Sequence, residues 1–160
     1  MPAVVATVGF GGHNMADKFL RILQAQMAVG DPKKHPEFAG TVASVDTTAY
    51  WRDSSVSPST AGYHYNHNAE TYLLVGDALG RAMADRLLDA VRRLGVGVGD
   101  QTVRMTISIG LAEFDPGEDA TAWIDRADKA LYEAKAQGRN TIVAADKPRR
   151  PEGGFLRGRG

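Results

Sequence analysis

One stretch of helical periodicity in the middle of the chain constrains the fold more than any other feature. From Asn68, apolar residues recur at Leu73, Leu79, Met83, Leu87, Leu88 and Val91 as far as Leu94. That spacing predicts a long amphipathic helix, and Gly95, Gly97 and Gly99 end it. Strands from both sides of the sequence must pack on such a helix.

Before it, Val4 to Val8 is a short β-branched run closed by Gly9, Gly11 and Gly12, which predicts a buried strand and a tight loop. A second helix follows, with Asn14 as its cap and Met15, Phe19, Ile22, Leu23 and Met27 on its apolar side. Thr41 to Val45 predicts another strand, with Asp46 at its end. The segment from Thr47 to Asn68 reads as a long loop, and loops of that length more often carry function than not.

After the glycines, Val103, Met105, Ile107, Ile109 and Leu111 alternate with polar or small residues, predicting one strand with one buried face. Asp115, Pro116 and Gly117 predict a turn. Trp123, Ala127, Ala130, Leu131 and Ala134 mark the buried stripe of a helix stopped by Gly138, and Thr141 to Ala144 a last strand. The fold class is α/β: a small sheet with flanking helices in the order β-α-β-α-β-α-β. From Asp146 onward Pro, Gly and Arg dominate, which predicts a disordered tail.

Charge and composition narrow the function. The formal net charge of the 160 residues is zero, so no global field draws the chain to nucleic acid or an anionic membrane. The sequence has no cysteine, which removes disulfides and thiolate metal sites and fits a reducing compartment. No run approaches the roughly 18 apolar residues of a membrane span, and Met1 to Gly12 lacks a basic start. A soluble, cytoplasmic protein is the expectation.

The strings MTISIGLAEF and RADKALYEAKAQGRNTIV, in that order, resemble the closing strand, helix and strand of GGDEF domains, the diguanylate cyclases that condense two GTP molecules into cyclic di-GMP. The resemblance covers about 84–146. It implies that Lys135 and Arg139 face the nucleotide triphosphate, and it implies GTP and Mg as substrate and ion. The i, i+4 spacing predicts that both cations share one face of the helix end, where they would offset charge on phosphate oxygens. The same residue types also suit the negative end of a helix dipole without any ligand. The Gly-Gly-Asp/Glu-Glu-Phe string that carries the family's signature occurs nowhere in the sequence, nor does its metal-binding strand. Asp128 reads as a structural or capping residue, no metal ligand set is expected, and cyclase activity is expected to be weak or absent.

The string VDTTAYWRDSSVSPSTAGYHYNHNAETYLLVGDALGRAM, with GFGGHNMADKFLRILQAQMAVGDPKKHPEFAG before it, is similar to the end of sialate O-acetylesterase-like members of the SGNH hydrolase superfamily. This resemblance covers about 1–86. It implies that His64, or alternatively His67, is the catalytic base, imidazole being suited to passing a serine proton. Ala61 stands where the superfamily often has an Asp, so Asp46 or Asp53 is the candidate orienting carboxylate. No Gly-Asp-Ser-like or Gly-Gln-Ser-like nucleophile block is present, and Ser54, Ser55, Ser57 and Ser59 read as turn residues. His64 and His67 lack a third ligand at metal spacing. His13 and His35 lack a carboxylate at ligand spacing, and His35 reads as a surface residue.

These readings divide the chain into 1–86, a hydrolase fragment; 84–146, the second half of a GGDEF domain; and 147–160, the tail. The two truncated α/β pieces would share the central helix, with the seam in GDALGRAMADRLLDAV. Sheet edges left open by truncation would favour a homo-oligomer.

Overall fold

The computed structural model describes residues 1–147, so the tail expected at 147–160 lies, apart from Lys147, outside the described residues. Strand β1 (Ala3–Ala6) pairs in parallel with β2 (Val42–Val45), Ala3 opposite Val42 and Ala6 opposite Val45. Helix α1 (Asp17–Val29) makes the crossover between them. Beyond the strand ends, the Thr47 hydroxyl donates to the Thr7 carbonyl at 2.8 Å and the Thr47 amide to the Thr7 hydroxyl at 3.1 Å. Both threonines are buried, so these bonds satisfy polar groups that would otherwise be costly to dehydrate.

Asn14 does not cap α1. Gly11 and Gly12 take left-handed φ values of 85° and 57°, which lets Gly12–Asn14 form a 3₁₀ turn, and the helix begins after Ala16 with no side-chain cap. Gln26 ties the helix to the sheet: its side chain accepts from the Val8 amide at 2.7 Å, and its carbonyl from the Ser44 hydroxyl at 2.6 Å.

The central helix is as long as the periodicity requires. Helix α2 (Ala69–Arg93) is capped by Asn68, whose Oδ1 accepts from the Thr71 amide at 3.0 Å. It packs against β1 and β2 on one side of the sequence and touches β5 (Ile109–Leu111) and β6 (Ile142–Ala144) on the other. Its consecutive terminal arginines reach in both directions: Arg93 donates to the Gly40 carbonyl at 2.7 Å and Arg92 to the Asn140 carbonyl at 2.7 Å.

The expected single strand from Val103 to Leu111 is two strands with different partners. Glycines 95 and 97 lie inside β3 (Gly95–Val98), which forms an antiparallel hairpin with β4 (Gln101–Arg104). Residues 105–108 then leave the hairpin, and β5 pairs in parallel with β6, Ile109 opposite Ile142. Every residue of the hairpin is exposed, so the alternation there covers nothing. The mixed α/β character is as expected, but the strands form three two-stranded sheets, not one.

Helix α3 (Ala120–Ala136) crosses between β5 and β6. Its contact with β5 requires Gly110: a Cβ there would lie 2.2 Å from the Ala127 carbonyl oxygen and 2.4 Å from the Leu131 nitrogen. Ala130 and Ala134 are the buried members of the expected stripe, and Trp123 stays 38% exposed. Among the described residues the buried hydrophobic side chains are Ala84, Leu88, Ala130 and Ala134, a core built from small groups. No helix among these residues is long and apolar enough to cross a membrane.

Candidate functional site

The C-terminal end of α3 is built by a Schellman motif. Gly138 has φ 107°; its amide bonds to the Lys135 carbonyl at 3.4 Å, and the Arg139 amide reaches back to the Ala134 carbonyl at 3.1 Å. The glycine in AKAQGRN is therefore the left-handed residue that closes the helix. Asp119 caps the other end, its Oδ1 accepting from the Ala122 amide at 2.8 Å. Asp128 lies mid-helix and exposed, and caps nothing.

Lys135 occupies the last helical turn, but Arg139 lies beyond the helix with φ 66°. The two cations are thus not one helical face at i, i+4 spacing. They flank the closing turn, both exposed, and neither forms an ion pair among the described residues. Exposed cations without a carboxylate partner are chemically free to meet a phosphate.

Two arginines that periodicity did not single out brace this segment, Arg92 at the closing turn and Arg126 toward the opposite end of α3. Arg92 donates from Nε to Asn140 Oδ1 at 2.8 Å and from Nη2 to the Asn140 carbonyl, pinning the residue after Arg139 to α2. Arg126 is a hub: Nε donates to Glu118 Oε2 at 2.8 Å, Nη2 to the Glu113 carbonyl at 2.6 Å and Nη1 to the Asp146 carbonyl at 3.1 Å. A further close contact joins Nη2 to Glu118 Oε1. The guanidinium holds the Glu118 carboxyl below the usual carboxylate range, and Glu118 in turn raises Arg126. The only sequence signal for either arginine was its place near a helix end or in RADKALY.

Among the described residues, no three His, Cys, Asp or Glu side chains gather in a way that could hold a metal ion. The carboxylate set that a magnesium-dependent cyclase implies does not fit the residues present.

The long loop between β2 and α2 is three short 3₁₀ turns. His64 and His67 lie in the last of them, both exposed, with ring centres 5.6 Å apart and planes 28° apart. Asp46 Oδ1 accepts from the Thr48 amide at 2.9 Å and the Thr48 hydroxyl at 2.7 Å, and its bonds go no further. Asp53 precedes the turn Ser54–Val56, where its carbonyl accepts from the Val56 amide at 3.1 Å but its carboxylate makes no cap. Neither carboxylate is hydrogen-bonded to His64. Ser57 and Ser59 bond within the loop: Asn68 Nδ2 donates to Ser57 Oγ at 3.0 Å, and the Ala61 amide to Ser59 Oγ at 3.2 Å. His35, expected to lack a carboxylate, stands 2.9 Å from Glu37 Oε1, which lowers the Glu37 pKa.

An α/β segment ending in a cationic, glycine-closed turn is the class of structure that residues 80–147 define. Residues 80–141, from the middle of α2 to the start of β6, match the family described as diguanylate cyclase, GGDEF domain. Diguanylate cyclase A of Treponema denticola is 37% identical over 63 residues, which are 39% of this chain and 17% of that protein. The chain thus matches well under a fifth of that relative's length.

Proposed function

We propose that residues 84–146 are the second half of a GGDEF domain and contact the phosphates of GTP through Lys135 and Arg139. The observation that carries this reading is a pair of exposed cations, without an ion-pair partner among the described residues, flanking a turn closed on one side by Gly138 and pinned on the other by Arg92. On this chain alone, cyclic di-GMP synthesis would be weak or absent, because the signature hairpin does not occur in its sequence and no magnesium-holding carboxylate group gathers among the described residues. Lys135 and Arg139 would hold and orient the triphosphate through its phosphate oxygens.

Calorimetry with GTP tests the binding: millimolar or tighter affinity that falls on the order of 10-fold in Lys135→Ala/Arg139→Ala supports it. Equal affinity in that variant removes the assigned role. Cyclic di-GMP formed from GTP and magnesium above the buffer rate would refute the inactivity.

A second reading concerns residues 1–86 as an acetylesterase fragment with His64, or His67, as base and Asp46 or Asp53 as the orienting acid. It is favoured by backbone strain beside His64, since Tyr65, Asn66 and His67 have φ 48°, 52° and 55°. Hydrolysis of a chromogenic acetate ester that His64→Ala leaves unchanged would exclude His64. In both readings the chain works in the cytoplasm, away from nucleic acid and membrane, and self-associates through the open strand edges. Calibrated gel filtration giving a monomer at high concentration would count against that last point.

A further inference from the structure

We infer that the cavity between α2 and the start of α3 binds a small arylalkylammonium ion, with the amine on Glu113 and the ring among Tyr72, Phe114 and Trp123. The proposal is independent of the GTP reading: Trp123 lies near the start of α3 and Lys135 in its last turn, about 18 Å apart along the helix axis.

The cavity exists because α2 is bare at this point. Tyr72, Gly76 and Gly80 follow one another at i, i+4 spacing and share one stripe of the helix. A Cβ on either glycine would meet nothing within 4 Å, so no neighbouring group fills the space that the missing side chains leave. Phe114 and Trp123 line the same cavity, whose volume is about 260 Å³. Cavities for drug-sized ligands start at about 300 Å³, so this one suits a single ring with a short chain.

The rings are held before any ligand arrives. Trp123 Nε1 donates to the Ala112 carbonyl at 2.8 Å, and Phe114 meets the indole edge to face with ring centres 5.5 Å apart. The Tyr72 hydroxyl donates to the His64 carbonyl at 2.8 Å, and its ring meets that of Tyr65 edge to face at 5.8 Å. All three residues nevertheless remain exposed, so aromatic surface is left for a ligand, and the face of such a ring attracts a cation.

Charge decides the sign of the ligand. Asp77, Glu113 and Arg81 are the charged residues of the cavity wall. Asp77 and Arg81 answer each other, Arg81 Nε standing 3.0 and 2.8 Å from the two carboxylate oxygens. Glu113 is the excess. Its side chain is only 14% exposed, and its Oε2 lies 2.9 Å from Nζ of Lys147, a side chain 66% exposed. Its Oε1 has no partner among the described residues. A mostly buried carboxylate is costly unless a cation bonds to it, and the chain already seats an ammonium on one oxygen. The other oxygen is open to the ammonium of a ligand.

The test titrates phenethylammonium chloride into the isotope-labelled full chain, with phenethyl alcohol and hydrocinnamate as neutral and anionic counterparts, while NMR follows the indole N–H signals. The expected result is a saturable shift at Trp123 and none at Trp51, with Kd on the order of 1 mM and both counterparts on the order of 10-fold weaker. Arg126 bonds the Glu113 carbonyl and not its carboxylate, so Glu113→Gln leaves that hub intact and should weaken binding about 10-fold. Gly80→Leu fills the cavity and should abolish the shift while raising the melting temperature, leucine being the better helix former. Lys147→Ala frees the second oxygen and should tighten binding. Equal affinity for the three probes, binding that survives Gly80→Leu or ignores Glu113→Gln, weaker binding in Lys147→Ala, or no wild-type shift at roughly 10 mM probe would overturn the assignment.

Discussion

Arg92 Nε lies 2.8 Å from Asn140 Oδ1, across 48 residues of sequence, and the same guanidinium donates to the Asn140 carbonyl. Asn140 follows Arg139 directly and itself has φ 52°, so this contact fixes a turn that local propensity disfavours. Replacing Arg92 by Ala should destabilise the protein by about 1 kcal/mol, the value of charged hydrogen bonds discounted for solvent. Arg92→Lys should recover little, because an ammonium cannot reproduce the two-pronged geometry. Thermal unfolding with amide exchange at Arg139 and Asn140 measures both; unchanged exchange in Arg92→Ala would remove the pinning role.

The Glu118 pair predicts an acid-dependent loss of stability. Hydrogen bonding to Arg126 is the largest cause of the lowered Glu118 pKa, so the carboxylate is favoured in the folded state. Its contribution is fully present above the unfolded carboxyl value near 4.5 and is lost as pH falls through the lower folded value. Glu70, lowered by Arg52, and Glu37, lowered by His35, act in the same direction. Glu118→Gln should therefore be less stable at neutral pH and show a shallower decline below pH 4.5. Parallel stability curves for the two proteins between neutral and acid pH would contradict this.

The two long helices were legible because their ends are written locally: Asn68 caps α2, and Gly138 closes α3 with the backbone conformation only glycine takes cheaply. The hairpin was not. Val96, Val98, Val103 and Met105 alternate in the same way whether or not anything covers them, and the change of partner between β4 and β5 depends on β6, far along the chain. Lys135 and Arg139 stand out in sequence as cations, whereas Arg92 and Arg126 gain meaning only from partners folded against them. Asp46, a candidate partner for a histidine in sequence, in the fold accepts both the amide and the hydroxyl of Thr48 on its Oδ1, a local contact that sequence did not single out.

That difference between pattern and burial can be measured at Val103, a residue 44% exposed in β4. Val103→Thr keeps the β-branch and should change stability by less than about 0.5 kcal/mol, as surface substitutions do. Under the one-buried-face reading the same change would strand a hydroxyl in the core and cost about 1–3 kcal/mol. Chemical denaturation separates the two outcomes.

Gly110 offers the opposite case, a position where a single methyl group should be decisive. The Cβ of an alanine would stand 2.2 Å from the Ala127 carbonyl oxygen and 2.9 Å from the Leu131 Cα, both backbone atoms that no rotamer change can move aside. Helix α3 must then lift from β5, exposing Ala130 and Ala134, which are among the few side chains fully withdrawn from water. Overpacking of this kind costs about 1–3 kcal/mol or more, a large share of the stability of a chain with so small a core. Gly110→Ala should lower the melting temperature by more than any other substitution named here, and because α3 carries Lys135 on its last turn, it should weaken the proposed GTP binding as well. A Gly110→Ala protein with wild-type melting would mean that α3 does not rest on β5 as closely as the 2.2 Å approach requires.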